Sequence, residues 1–449
     1  MTVRGSSVLI AHTLISNIMG STMVCAQVAE ELQRMGASVV VLASSFTGPA
    51  RSVFENKGIH VKVGEDLESS IFDFDYVWVH SQLLPLSFVK QLGVVSRNGI
   101  PAGKELPVFI FNHMSALDSS PDEHPYIPSL EETLATAEVF VSEESRDALA
   151  KDYDFEANRG IAQWIVPNPA PTVYAQISKV GLHSDSPKHI AIISNHVPQE
   201  LIDASALLKA SDIQVDIIGE QGVVREVTPD LISQYDCVFT IGKTVQYCMM
   251  SSTPVYVYDR FGGFGYLDAE NFEKCAYANF SGRGGITKSS EEIASEIIEG
   301  YPQACAYSDA MHPTWTVSYG MEHVLADLFD HLEPRTSITF PYEGYENALQ
   351  MQMRFAWRYY RSWDFELWMH GQNRNLEDRL HHEQNIVEEQ AKEIAQLHGE
   401  ISALDKNLRR AHEEMTRKEN QLRQVYASHS YRLGNALVAP FSILKRHGR

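Results

Sequence analysis

The chain of 449 residues is short of three things, and each shortage removes a class of function. Cysteine is scarce: Cys25, Cys237, Cys248, Cys275 and Cys305 are odd in number and widely spaced, with no CxxC pair and no histidine cluster at ligand spacing. Neither a disulfide framework nor a cysteine-based zinc site is expected, and the thiols are read as reduced. Long apolar runs are lacking, since nothing approaches the ~18–20 residues that cross a bilayer. The N-terminus, with only Arg4 before the strand-like Val8–Ala11, has no signal-peptide hydrophobic region or cleavage site. A cytoplasmic chain, neither secreted nor integral, is therefore expected. Positive charge is deficient: 37 Lys+Arg stand against 58 Asp+Glu, a net charge of −21. A field of that sign repels polyanions, and no nucleic-acid partner is expected.

What is present describes a globular chain with an extension. At 44% hydrophobic and 21% charged residues, most of the sequence can bury a core, and the length allows about three domain units of ~150 residues. The charge is uneven. Residues 1–335 carry 21 basic and 43 acidic side chains, residues 336–449 carry 16 and 15, and after Glu419 only cations remain: Arg423, Arg432, Lys445, Arg446 and Arg449.

Strand and helix signals alternate over residues 8–160. Strands are predicted at Val8–Ala11, Ser38–Leu42, Ile59–Val63, Tyr76–His80, Val108–Phe111 and Val139–Val141, with helices notably at Thr22–Arg34 and Leu130–Ala135. Such alternation means parallel βαβ units. After the proline-rich stretch Val166–Lys188 the rhythm restarts, with strands at His189–Ile193, Val215–Ile218, Cys237–Ile241 and Pro254–Tyr258, and helices at Pro198–Ala210, Thr244–Met250 and Ser290–Gly300. The expected fold is α/β: two Rossmann-like domains, at 1–170 and 171–335.

From Tyr345 the pattern becomes one of long helix. An aromatic-rich segment, 336–372, is expected to pack against something. A heptad follows over 373–426, with a positions at Leu380, Val387, Ile394, Ile401, Leu408, Met415 and Leu422, and d positions at Leu376, Leu397, Leu404, Ala411 and Val425; Glu383, Gln390 and Lys418 interrupt d. A coiled coil forming a parallel homodimer is expected, the alternative being a single amphipathic helix folded onto the body. The tail, 427–449, mixes Leu433, Leu437, Val438, Phe441, Ile443 and Leu444 with cations and has Pro440 as a kink. It suits an anionic membrane surface or, alternatively, a docking site on protein.

Two such domains place the carboxyl ends of both sheets around one cleft. At the first strand end, Ser16–Thr22 leads into a helix; Gly20 permits close backbone approach, and the helix start offers an anion site or merely an N-cap at Ser21, although the run is not GxGxxG. Phe111-Asn112-His113 places His113 at a strand end, where an imidazole can shuttle a proton or be structural. The densest region is 241–285. Gly242-Lys243-Thr244 turns into a helix, Asp259-Arg260-Phe261-Gly262-Gly263 is read as a glycine-rich loop, and Asn279-Phe280-Ser281-Gly282-Arg283 adds a guanidinium. Lys243, Arg260 and Arg283 are the cations expected to hold a diphosphate.

On these residues the sequence resembles the GT-B glycosyltransferases, in particular the family-4-like enzymes of bacterial cell-surface polysaccharide synthesis. The resemblance covers about residues 8–330 and rests on the Gly20 loop, the Phe111–His113 strand end, Ala137–Ala148, Val166-Pro167-Asn168-Pro169 and the Thr253–Asp259 run; Ser430–Gly434 also looks like a segment that follows coiled coils in such enzymes. It implies a sugar moved from a nucleoside-diphosphate donor to a glycan or lipid-linked acceptor, with retained configuration. It implies no cofactor and no metal, in keeping with the lack of a DxD pair at a strand end. The implied donor set is Gly20, Lys243, Thr244, Tyr247, Asp259, Gly262, Gly263, Asn279, Ser281 and Arg283, with His113 catalytic. Two departures stand out: Tyr247, with Gln246 beside it, occupies the place of the second glutamate of the family's E-x7-E pattern, and Ser194-Asn195-His196 stands where Arg and Lys are usual. A catalytically inactive scaffold on the same fold is the alternative, and a nucleotide-sugar epimerase a third.

Overall fold

The computed structural model describes residues 3–80, 82–117, 128–151, 153, 161–339 and 346–444. It divides into two units, Met1–Phe365 and Glu366–Arg449. In the first unit, seven strands make one parallel sheet: β1 (Ser7–Ala11), β2 (Ser38–Ala43), β3 (His60–Val63), β4 (Tyr76–Val79), β5 (Val108–His113), β6 (Ala137–Phe140) and β7 (Ala162–Ile165), in the order β3-β2-β1-β4-β5-β6-β7. The central strands β4 and β5 are buried along their whole length, which is why they read as continuous apolar runs rather than alternating ones.

The second sheet contains β8 (His189–Ile193), β9 (Gln214–Ile218), β10 (Cys237–Thr240), β11 (Val255–Asp259) and β12 (Gly262–Tyr266), in the order β9-β8-β10-β11-β12. Only β12 is antiparallel. It corrects the reading of Gly262 and Gly263 as a phosphate loop. Asp259 pairs with Gly262 and Tyr258 with Gly263, beside a register shift between Val257 and Tyr258, and a Cβ on Gly262 would stand 2.6 Å from the Ile286 carbonyl oxygen. These glycines let residues 282–286 lie against the strand.

The chain crosses between the two sheets twice, and the crossings are tied together: Ala170 N donates to Tyr319 O (2.7 Å), and Met321 N donates to Ala170 O (2.8 Å). Past the second crossing the chain belongs to the first domain, so the expected boundary at 335 moves back to about Tyr319. The helix Met321–Asp330 buries Met321, Leu325, Leu328 and Phe329 with Val8, Tyr76 and Trp78 on one face of the first sheet. On the opposite face, Met353, Ala356, Trp357 and Tyr360 pack with Val77, Phe88 and Leu92, and Trp357 Nε1 donates to Leu84 O at 3.0 Å. Trp357 and Tyr360 of the aromatic-rich segment thus find their partner, while Phe355, Tyr359, Phe365 and Trp368 stay more than half exposed. Two Rossmann-like α/β domains, with the C-terminal helices of the chain returning to the first, make up the architecture.

The helix that begins at Glu346 runs to Ala427, across the expected boundary at 372/373. In the second unit the a-position side chains are all more than half exposed, from 53% at Leu422 to 69% at Leu408. The helix ends at Ala427, the expected start of the tail, and Pro440, expected as a kink of the tail, lies inside the next helix. Ser428 Oγ accepts from Tyr431 N (3.3 Å) and caps the next helix, His429–Leu444, which runs on past the proline. Lys445, Arg446 and Arg449 lie outside the described residues.

Candidate functional site

Two helix starts line one cleft of about 770 Å³. In the first domain the helix Gly20–Arg34 begins behind Met19 with no side-chain cap, so Ser21 is inside the helix and is not its cap. In the second domain the helix Lys243–Ser251 begins behind Gly242, at φ +57° and again without a side-chain cap. The first-turn N–H groups of a helix have no intrahelical acceptor. A Cβ on either Gly20 or Gly242 would meet no atom within 4 Å, so the space beside them is the cleft itself.

The second-domain wall is polar. Thr244, Asp259 and Asn279 line it, as expected, and so do Ser194, His196, Arg225 and Arg260. Asp259 is buried; its Oδ2 accepts from Ser194 Oγ (3.0 Å) and its Oδ1 from Arg260 N (2.7 Å). Burial raises its pKa, and those two hydrogen bonds oppose the rise. Asn279 Oδ1 accepts from Asn168 Nδ2 at 3.2 Å, joining the wall to the first crossing.

Lys243 and Tyr247 line the cleft in a different role from the one expected. The Lys243 ammonium is turned inward and donates to Asn168 O (3.0 Å) and to Pro169 O; burial drives its pKa far below the ordinary lysine value. It pins the crossing between the two domains. Tyr247 stacks on Tyr174, with ring centroids 4.2 Å apart and parallel to within 1°, and its hydroxyl accepts from Gln27 Nε2 of the first domain at 2.6 Å. A tyrosine held this way takes no carboxylate part.

His113 lies under the first-domain wall and does not reach the cleft, which Met114 and Ser115 line instead. Its Nδ1 accepts from Gln82 Nε2 (3.2 Å), its Nε2 lies 2.9 Å from Glu131 Oε1, and its ring stacks on Phe140. Beside it sits a pair that went unnoticed in the sequence. His12 and His80 follow β1 and β4, their rings edge to face at 4.8 Å. His80 donates from Nε2 to Ser21 O (2.9 Å) and accepts at Nδ1 from Asn112 Nδ2 (3.1 Å), fixing the start of the Gly20–Arg34 helix to the sheet. Burial pushes the His80 pKa down to about 4. His12 is also well below its usual value, through burial and the neighbouring His80.

Ser281 and Arg283 are outside the cleft lining too. Ser281 Oγ accepts from Arg283 N within the turn (3.3 Å). Arg283 forks onto Glu144 of the first domain, Nε standing 3.0 Å from Oε1 and 3.1 Å from Oε2, while Tyr277 Oη donates to Asp147 Oδ2 nearby (3.1 Å). Arg283 is a latch between the domains.

The first-domain wall contrasts with the second. Ile18, Met19, Met23, Met114 and Leu117 line it with Ser21 and Ser115, and Trp363 is added by the returning C-terminal helix; none of these side chains is charged. Arg225 and Trp363 are among the lining residues that motif reading passes over. Arg225 follows β9, and the rule that ligands gather at the carboxyl ends of parallel strands points to its loop. Nothing in the local sequence around Trp363 points back to a cleft whose nearest other lining residue, Asn279, is 84 positions away.

No protein-family model matches the chain, and no curated protein does. Among solved structures, the chain is similar to a glycosyltransferase from Rickettsia africae at 11% identity and a TM-score of 0.45, over 72% of this chain and 97% of that one. It is similar to the glycotransferase of kitacinnamycin at 11% identity and 0.42, over 73% and 98%. It is likewise similar to UDP-GlcNAc 2-epimerase from Neisseria meningitidis, bound to UDP-GlcNAc, at 14% identity and 0.41, over 72% and 98%. At such identities and scores nothing about substrate or mechanism passes from them to this chain.

Proposed function

We propose that the chain is a glycosyltransferase that binds a nucleoside-diphosphate sugar on the second-domain wall and an acceptor glycan or lipid-linked glycan on the first, in bacterial surface polysaccharide synthesis. The observation that carries this reading is the single cleft with two walls of opposite character. One has an uncapped helix start at Gly242–Thr244 with Arg225 and Arg260; the other is uncharged. N–H groups at a helix start and guanidinium groups are the donors that suit a diphosphate.

In the proposed reaction the acceptor hydroxyl oxygen bonds to the anomeric carbon as the bond from that carbon to the β-phosphate oxygen breaks. The diphosphate leaves with the electron pair, stabilised by Arg225, Arg260 and the amides of Lys243 and Thr244, the kind of electrostatic contribution that tends to dominate such steps. Because His113 is buried, the acceptor proton passes to the departing phosphate oxygen, on the same face, with retained configuration and no metal. Two-tailed membrane attachment through a parallel coiled-coil dimer over 373–426 belongs to the same proposal. Turnover of a panel of nucleoside-diphosphate sugars, with and without acceptor glycans, tests it: release of the nucleoside diphosphate supports a transferase, and binding without release supports the scaffold. The scaffold reading draws on one specific feature, since Tyr247, locked by Tyr174 and Gln27, leaves the donor without the family's carboxylate.

A further inference from the structure

The segment of the C-terminal helix within the first unit has a buried face and an aromatic flank. Met353, Ala356, Trp357 and Tyr360 are buried against the first domain. Phe355, Tyr359 and Trp363 are spaced i, i+4, i+8, which on a helix of 3.6 residues per turn is one row drifting about 40° per step. The drift carries the row from solvent toward the domain: Phe355 is 63% exposed, Tyr359 52%, and Trp363 is half-buried where it lines the cleft. Tyr359 and Trp363 already touch, with ring centroids 6.4 Å apart.

We propose that this aromatic row is an acceptor track, on which successive sugar rings of a neutral oligosaccharide stack from Phe355 through Tyr359 to Trp363 at the cleft. Three observations point to this occupant. The residues are aromatic rather than aliphatic, and flat rings offer the C–H face of a pyranose a partner of matching shape. They are about 6 Å apart along the helix, four residues at 1.5 Å each, comparable with the length of one sugar ring. The row is continuous with a wall that carries no charged side chain. The proposal rests on the reading of the first-domain wall as the acceptor side.

The test uses the full chain and neutral hexasaccharides of glucose, mannose and galactose, with the matching disaccharides and phosphatidylglycerol vesicles as comparisons. At least one hexasaccharide is expected to bind more tightly than its disaccharide. The exposed double variant Phe355→Ser, Tyr359→Ser should weaken that binding by about fivefold or more, two aromatic contacts being lost at ~0.5–1.5 kcal/mol each. Tyr359→Phe, which keeps the ring, should bind as the wild type does. Failure of every hexasaccharide to bind, binding that ignores the double variant, or loss of vesicle binding in its place overturns the track. UDP, dTDP, GDP and ADP titrated into the wild-type chain in parallel judge the donor wall separately: saccharide binding with none of these nucleotides bound overturns the donor reading and with it the row's acceptor role, whereas nucleotide binding without saccharide binding overturns the track alone.

Discussion

The two walls of the cleft are built by the same kind of element, a parallel strand ending before a helix start, yet they have opposite chemistry. On the second domain Arg225 and Arg260 stand beside the open turn at Gly242; on the first, the helix starting at Gly20 is surrounded by methionine, leucine and tryptophan. The strand-to-helix geometry offers a place for a ligand in both, and the neighbouring side chains decide which ligand. A charged group on one wall and a neutral one on the other is what a reaction between a diphosphate donor and an uncharged acceptor requires.

Acid breaks this contrast most strongly. Beneath the neutral wall, His80 has a folded pKa of about 4 against an ordinary 6.5, set by burial. Between those values the unfolded chain binds a proton that the folded one does not, so stability falls as pH drops through that window. The slope is about 1.4 kcal/mol per pH unit for one such group. His12 adds in the same direction. Denaturant titrations from pH 7 to pH 4 should show the loss, and His80→Asn should remove part of the slope.

The next largest effect sharpens the contrast from the other side. Arg225→Ala should weaken nucleoside-diphosphate binding by roughly 1.5–3 kcal/mol, the range for a hydrogen bond to a charged group. Neutral saccharide binding should stay at the wild-type value, both being read by calorimetry. Lys243→Met separates the helix start from its lysine. It strips the carbonyls of Asn168 and Pro169 of their donor and should cost about 1–3 kcal/mol of stability, measured by denaturant melting, with nucleotide affinity changed less than about twofold. Smallest is Arg283→Ala. The latch to Glu144 is partly exposed, with both side chains at about a fifth of their surface, so about 1 kcal/mol or less is expected, with no loss of nucleotide affinity. A marked loss on Arg283→Ala would return that residue to the donor site.

Much of this fold was legible in the sequence because buried parallel strands are apolar runs, and His189–Ile193 even has its predicted bounds. Two errors have different causes. The Gly262–Tyr266 strand is a hairpin on the adjacent Val255–Asp259, hidden because its three glycines carry no strand signal, whereas the return of Met321–Asp330 to the first domain depends on partners distant in sequence, which local pattern does not encode. The site was half legible. Gly20, Thr244, Asp259 and Asn279 do line the cleft, while Lys243 and Arg283, correctly seen as cations near it, spend their charge on Asn168, Pro169 and Glu144. Spacing brings a cation into a neighbourhood; its direction is set by whichever buried acceptor is nearest.

The most direct test of the central claim is a crystal structure of the chain soaked with UDP. The account predicts the diphosphate within hydrogen-bond distance of the Lys243 and Thr244 amides and of Arg225, on the second-domain wall. A diphosphate seated beside Arg283 or on the first-domain wall, or a cleft still empty at millimolar UDP, would contradict it.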